Sequence, residues 1–338
     1  MNNKKKSGSF YTPKIVADYF VKYLVQKLEA IPTITILEPS AGDGVFVNSV
    51  YKNISISSKI EKLIAVEKDK TEIDKISEAN TQETLSLIHA DFLDYQLNNL
   101  ERYSLVIGNP PYIKKSLLSE DQIEKCRKIH ANANLKTRQP KNIWTAFLVR
   151  CIEFTDFQGV LAFVLPSDLL QVKYASEIRN LLLKEFERIE IITFNELLFK
   201  DSKGQDTLLL IAERKAKEKG VFYFNVSNLN QLNNVDFQFR LNERTNTPKW
   251  THHHLDLSEI EFLEKIKQQF YSVSNYCYSK VGIVTAANDF FIVDSNSVRE
   301  YCLQKHVKPI IKNGYFIDGK VEFNKKDFDS LDDQMKPV

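Results

Sequence analysis

The chain has 338 residues, more than one ordinary domain, so the length suggests one large domain followed by a second, partial one. Its 46 basic and 44 acidic side chains leave a formal charge of +2, which excludes a uniformly basic nucleic-acid binder and confines any polyanion surface to a local patch. Cys126, Cys151, Cys277 and Cys302 lie far apart, with no Cys-x-x-Cys pair and no histidine at zinc-ligand spacing, so no metal site is expected and a reducing, intracellular setting is.

The start, "MNNKKKSGS", is basic but lacks the apolar segment of a secretory signal, and no apolar run reaches transmembrane length. A flexible leader on a soluble protein, with no membrane partner, is expected. Thr12 followed by Pro13 reads as a helix cap and first helical position, and Ile15, Val16, Tyr19, Phe20, Tyr23, Leu24 and Leu28 recur at helical spacing. Short runs rich in Ile, Leu and Val follow at 33–38, 62–67, 85–90, 104–108, 160–166 and 189–194, separated by helix-compatible segments. That alternation predicts an α/β fold with a doubly wound, mostly parallel sheet buried on both faces, completed by "DTLLLIAER" at 206–214.

Beyond about residue 215 the composition turns Asn- and Lys-rich, with strand-like pieces at "VFYFNV" and "VDFQFR". Ser258 and Glu261 have the spacing of a capping box ahead of Phe262, Leu263 and Ile266, and 271–338 reads as mixed strands and turns. The expected division is a catalytic domain over 1–244 and a partial α+β region over 245–338.

In an open parallel sheet, ligands bind beyond the carboxyl ends of the strands near the point where strand order reverses, and the unusual residues sit at those ends. The first run closes on "EPSAGDGVF", where Gly42 and Gly44 allow a sharp turn and close approach to a ligand beside Glu38, Pro39, Ser40 and Asp43. The third glycine of the dinucleotide fingerprint is missing, as a cofactor without a pyrophosphate permits. Glu67 closes the second run, where a carboxylate can accept from both ribose hydroxyls; a solvated surface glutamate is the alternative. Asp91 and Phe92 follow the third run, suited to an exocyclic amine and an adenine face, although Phe92 reads equally as core.

The fourth run ends in Asn109-Pro110-Pro111-Tyr112. Two prolines remove two backbone donors and stiffen the chain, leaving carbonyls free to face a ligand. An amine conjugated to an aromatic ring is a poor nucleophile because its lone pair is delocalised. Held through its hydrogens by the Asn109 oxygen and the Pro110 carbonyl, with Tyr112 stacked on the ring, it is drawn toward tetrahedral geometry. The segment therefore acts by positioning and by stabilising positive charge on nitrogen.

Together these residues resemble the S-adenosylmethionine-dependent amino-methyltransferases, and their order is similar to that of the TaqI-like adenine-N6 DNA methyltransferases. The resemblance runs through "SGSFYTP", "LEPSAGDG", "AVEKD", "ADF", "GNPPY", "NIWTAFLVRCIEF" and "FVLPSDLL", over roughly the first 215 residues. It implies a Rossmann-like methyltransferase fold and S-adenosylmethionine as cofactor. Tyr11, Thr12, Pro13, Glu38, Pro39, Ser40 and Gly42 would border its methionine part, Glu67 its ribose, and Asp91 and Phe92 its adenine. Asn109, Pro110 and Tyr112 would hold a base extruded from double-stranded DNA, and Phe199 would pack on that base, or else anchor a loop. The resemblance also implies a restriction-modification setting in a bacterial cytoplasm.

"KVGIVTAANDFFIV" (280–293) is similar to the start of a target-recognition region, with Ala286 where glycine is common, and such regions continue further than this chain does. A partner supplying specificity or nuclease function is therefore one expectation. Two rival readings stay open: methylation of a protein glutamine or of ribosomal RNA adenine, and a non-catalytic DNA-binding subunit. Asp206, Glu213 and Lys215 mimic a nuclease triad but close an apolar strand, and His252, His253 and His254 are consecutive, as in a surface linker.

Overall fold

A computed structural model describes residues 11–96, 101–136, 138–195, 197–198, 206–227, 229, 232, 239–242, 249–250, 255, 257–278, 287–308, 310–311, 317, 319 and 322–330. Chain contacts divide the protein into two compact units, Met1–Ile260 and Glu261–Val338.

In the first unit the described residues build one nine-stranded sheet. Helix α1 (Lys14–Lys27) leads into β1 (Ile34–Glu38), α2 (Val45–Lys52), α3 (Ile54–Ser57), β2 (Ile60–Glu67), α4 (Lys70–Ala79), β3 (Leu85–His89) and β4 (Tyr103–Gly108). Then come α5 (Glu120–Asn132), α6 (Trp144–Phe154), β5 (Thr155–Pro166), α7 (Asp168–Gln171), α8 (Ser176–Glu185), β6 (Arg188–Phe194), β7 (Thr207–Glu213), β8 (Gly220–Val226) and β9 (Arg240–Asn242). The strand order is β3-β2-β1-β4-β5-β7-β6-β8-β9, with β3 through β5 parallel. Order reverses between β1 and β4. Because parallel crossovers are right-handed, the connections of the two halves cover opposite faces of the sheet, which is why central strands such as β1 and β4 are buried along most of their length, whereas edge strand β3 is only partly so.

β7 is antiparallel to both β5 and β6, and β8 adds to β6 in parallel. The sheet therefore extends past the run at 206–214, taking in "VFYFNV"; of "VDFQFR", residues 235–238 lie outside the described residues.

Two expected caps differ. Helix α1 starts after Pro13, and the Thr12 hydroxyl accepts a hydrogen bond from Asn109 Nδ2 (3.1 Å) rather than capping the helix. Its predicted apolar face is the buried one, with Val16, Tyr19, Phe20, Tyr23 and Leu24 in the core. Helix α9 (Leu257–Gln269) begins at Leu257, so Ser258 stands inside its first turn and not at the cap.

At the amino ends of β6 and β8 lies a buried ion cluster. Glu190, fully buried, accepts from Tyr23 Oη (2.8 Å), Lys27 Nζ (2.8 Å) and Arg188 Nε (2.6 Å), and Lys27 also reaches Glu213 (2.7 Å). Glu213 is thus a structural partner of Lys27, and Lys215 pairs with Glu187. Asp206 and Glu213 flank the two ends of a seven-residue strand, about 20 Å apart at strand rise, so they cannot share a metal ion.

In the second unit, beyond the end of α9 (Leu257–Gln269), the described residues form turns and short helices: α10 (Asn288–Phe291), α11 (Ser295–Glu300) and α12 (Lys325–Asp329). The segment 280–286, Ala286 included, and His252 to His254 lie outside the described residues. No helix among the described residues is long and apolar enough to cross a membrane.

Candidate active site

Four strands of the first unit deliver their carboxyl ends to one cavity of about 800 Å³, within the ~300–1,000 Å³ typical of small-molecule sites. Tyr11, Thr12, Glu38, Pro39, Ser40, Gly42, Asp43, Glu67, Asp91, Phe92, Asn109, Pro110 and Pro111 all line it, so the structure gathers most of the predicted residues in one place.

The loop after β1 is shaped by glycine. Gly42 and Gly44 have φ of +54° and +76°, which side chains on L-residues rarely adopt. The Gly42 N–H donates to Glu67 Oε2 (2.8 Å), while Glu67 Oε1 accepts from the backbone N–H groups of Lys68 and Asp69 (2.8 Å each). Glu67 thereby joins the ends of β1 and β2. Gly44 does not line the cavity: a side chain there would come within 2.8 Å of Ile76 Cγ1, so this glycine serves packing against α4. Pro13 is likewise absent from the lining.

Glu38 is 1% exposed, and neither carboxylate oxygen has a hydrogen-bond partner among the described residues. Burial first, then the charges of Asp43 and Glu67, push its carboxyl well above the usual range; the nearby Val47 N–H draws it down but makes no bond of normal geometry. Burial also raises Asp43. Tyr11 lies over the loop, its ring 3.6 Å from where a Gly42 side chain would begin, and its hydroxyl donates to Glu72 (3.2 Å). Burial and the Glu72 charge push its hydroxyl up to about 12.

Asp91 Oδ1 accepts from the Leu93 N–H (3.0 Å) and Oδ2 from Lys68 Nζ (2.7 Å). Phe92 lines the cavity and also packs in the core against Phe147 (5.1 Å between centroids).

The loop after β4 is tied to the loop after β1. Ser40 Oγ donates to the Asn109 carbonyl (3.1 Å), and a side chain on Gly108 would meet Pro39 Cδ at 3.2 Å, so glycine is what lets the two loops touch. Asn109 Nδ2 is engaged by Thr12, which fixes the plane of the amide. Tyr112 departs from expectation. Its ring is 7% exposed and is not part of the cavity lining, with burial holding its hydroxyl well above its ordinary value. Its immediate neighbours Pro111 and Ile113 do line the cavity. Phe199 lies outside the described residues. The sequence reading missed Lys68, Glu72, Gly108, Ile113, Ile143 and Phe147; of these only Gly108, a glycine at a buried strand end, carried a visible signal.

An uncompensated buried carboxyl facing a cavity calls for a cation, and an amide-proline carbonyl pair calls for an amine; both demands open on one space. No group of His, Cys, Asp and Glu suited to a metal ion occurs among the described residues.

Residues 34–199 match the Eco57I restriction-modification methylase family, and residues 247–338 match the C-terminal domain of Type II methyltransferase M.Eco57I. Type II methyltransferase M.AccI of Acinetobacter calcoaceticus is 26% identical over the whole of this chain and 62% of its own length. The chain spans less than two thirds of this and of other curated methyltransferases it matches. Among solved structures, the DrdV–DNA complex aligns with a TM-score of 0.65 at 16% identity, covering 89% of this chain and 38% of that one. A protein assigned to the class I S-adenosylmethionine-dependent methyltransferases from Listeria monocytogenes aligns with a TM-score of 0.53 at 17% identity, covering 70% and 73%. The fold is the Rossmann-like one of the S-adenosylmethionine-dependent methyltransferases. Two regions in sequence thus match Eco57I-type restriction-modification methylases, and the chain as a whole is similar to Type II methyltransferases.

Proposed function

We propose that this chain transfers the methyl group of S-adenosylmethionine to the N6 amine of an adenine extruded from a specific sequence in duplex DNA. The order of its segments supports the TaqI-like form of that chemistry, in a restriction-modification or related defence system of the bacterial cytoplasm. The observation that carries this reading is that Asn109-Pro110-Pro111 and the glycine loop with Glu38 open on the same cavity.

The cofactor supplies an electrophilic methyl group on a sulfonium centre. Glu38 is suited to its ammonium, with Tyr11, Thr12, Pro39, Ser40, Gly42 and Asp43 around the methionine end, and Pro13 and Gly44 acting through the backbone they shape. Glu67 keeps acceptor capacity for ribose hydroxyls beyond its three backbone donors. Asp91 and Phe92 serve the adenine. Asn109 Oδ1 and the Pro110 carbonyl accept the two hydrogens of the target amine, and Thr12, by engaging Nδ2, presents Oδ1 toward it. As positive charge develops on the nitrogen, both acceptors stabilise it. Extrusion costs a few kcal/mol, offset by stacking and phosphate contacts. In this reading the Tyr112 ring, which does not line the cavity, has to turn toward it to stack on the base, with Phe199 as a second ring. Residues 1–244 are assigned to catalysis and 245–338 to part of target recognition, with a partner protein supplying further specificity or cleavage.

The test is transfer of labelled methyl groups offered in parallel to duplex DNA, protein and RNA. Label should appear in DNA adenine alone. Label in protein glutamine or ribosomal RNA replaces the substrate, and cofactor binding without any transfer replaces the enzyme with a non-catalytic subunit. Asn109→Ala should keep calorimetric cofactor affinity while turnover falls by about 10²-fold or more.

A further inference from the structure

The segment that follows the Asn-Pro-Pro-Tyr loop is stitched to a second loop. Lys114 forms an antiparallel bridge with Asn142, the Lys115 N–H donates to the Lys141 carbonyl (3.0 Å), and the Ile143 N–H donates to the Ile113 carbonyl (2.9 Å). Ile113 and Ile143 face the cavity, so the stitched pair forms one of its walls.

The second loop is held firmly. Asn134 adopts a left-handed φ of 57°, Leu135 is buried, and the buried His130 bonds through Nδ1 to the Arg138 carbonyl (3.0 Å). Yet its cations point outward. Lys114, Lys115, Lys136, Arg138 and Lys141 are all exposed, and none makes an ion pair among the described residues. Elsewhere lysines are commonly matched, as in Lys125 with Asp94 and Asp121. The nearest acids temper the patch little. Asp121 is taken by Lys125, Glu177 accepts the Lys136 backbone N–H (3.0 Å), and Glu120 sits at the start of α5. Leu117, 57% exposed, also lines the cavity, so the cationic rim and the cavity mouth are continuous.

Five unmatched cations on two backbone-fixed loops, in a chain of net charge +2, are an uneven distribution that self-repulsion disfavours unless a polyanion occupies it. The geometry points to this rim, Lys114, Lys115, Lys136, Arg138 and Lys141, as the surface that grips the phosphate backbone of the strand delivering its base to the cavity. The inference rests on the proposal that DNA is the substrate, and adds which residues of this chain hold it.

Phosphate contacts are read by salt. Each contact to duplex DNA contributes about 0.9 to the slope of log affinity against log salt. The full chain would be titrated with a mixed-sequence DNA duplex over a salt series, beside the triple variant Lys115→Gln, Arg138→Gln, Lys141→Gln. A control variant, Lys62→Gln with Lys219→Gln, removes cations at the amino ends of β2 and β8. The triple variant should lower the slope by about 2 to 3 and leave calorimetric cofactor affinity within twofold, while the control leaves the slope unchanged. An unchanged slope in the triple variant, an equal loss in the control, or no salt-dependent duplex binding by the parent chain overturns the inference. Failure of the underlying proposal is a separate result, seen as absence of label in DNA when the parent chain binds both cofactor and duplex.

Discussion

Glu38 is the residue whose environment says most about the site. A carboxyl that is buried, surrounded by like charge and without a hydrogen bond is costly to keep ionised, so the ligand-free protein holds it protonated to a higher pH than the unfolded chain does. The folded state then binds more protons than the unfolded one. Stability from this group is complete below the ordinary value of 4.5 and declines as pH rises toward the folded value. Glu38→Gln removes that decline. Thermal melts of the ligand-free protein should show the variant more stable than its parent at pH 8, with the gap closing toward pH 4. Cofactor affinity by calorimetry should fall on the order of tenfold, since a hydrogen-bonded charge partner is lost. Stability and function pull this residue in opposite directions, as expected at a ligand site. Its acidity and its place at a strand end were legible in the sequence; the missing partners were not, because they depend on what the other strands bring alongside.

At the scale of elements, the loops around the cavity are placed by glycines with different tasks. Gly42 turns its N–H to Glu67, and Gly108 lets Pro39 approach, whereas Gly44 makes room for Ile76. Gly44→Ala adds a side chain at φ +76° and 2.8 Å from a packed neighbour, so it should cost about 1–3 kcal/mol in denaturant unfolding. A glycine pair spaced by one residue looks the same in sequence whether both or one faces a ligand. The ion cluster linking α1 to the strands behaves similarly: Lys27, Glu190 and Glu213 are distant in sequence, and only β6 and β7 lying side by side joins them. Glu190→Ala would leave Lys27 with Glu213, and Arg188 with Glu213 and the exposed Glu218, while removing the buried carboxylate that both cations share, and should destabilise the fold by about 3 kcal/mol.

For the molecule as a whole, every residue lining the cavity falls within the first compact unit. A chain ended after Gln269, which keeps α9 intact, should therefore bind cofactor within about twofold of the full chain by calorimetry. By itself the sequence determined which segments become buried strands, because Ile, Leu and Val runs long enough to cross a sheet satisfy water nowhere else, and it placed Asn109, Glu38, Glu67 and Asp91 at the ends of those strands. Only the tertiary structure decided that β7 runs against its neighbours, since a leucine run reads alike in either direction. It also decided that β8 extends the sheet, that Thr12 holds Asn109, and that Tyr112 turns away from the cavity its neighbours line. Those outcomes depend on pairing and facing between segments far apart in the chain, which local pattern does not encode.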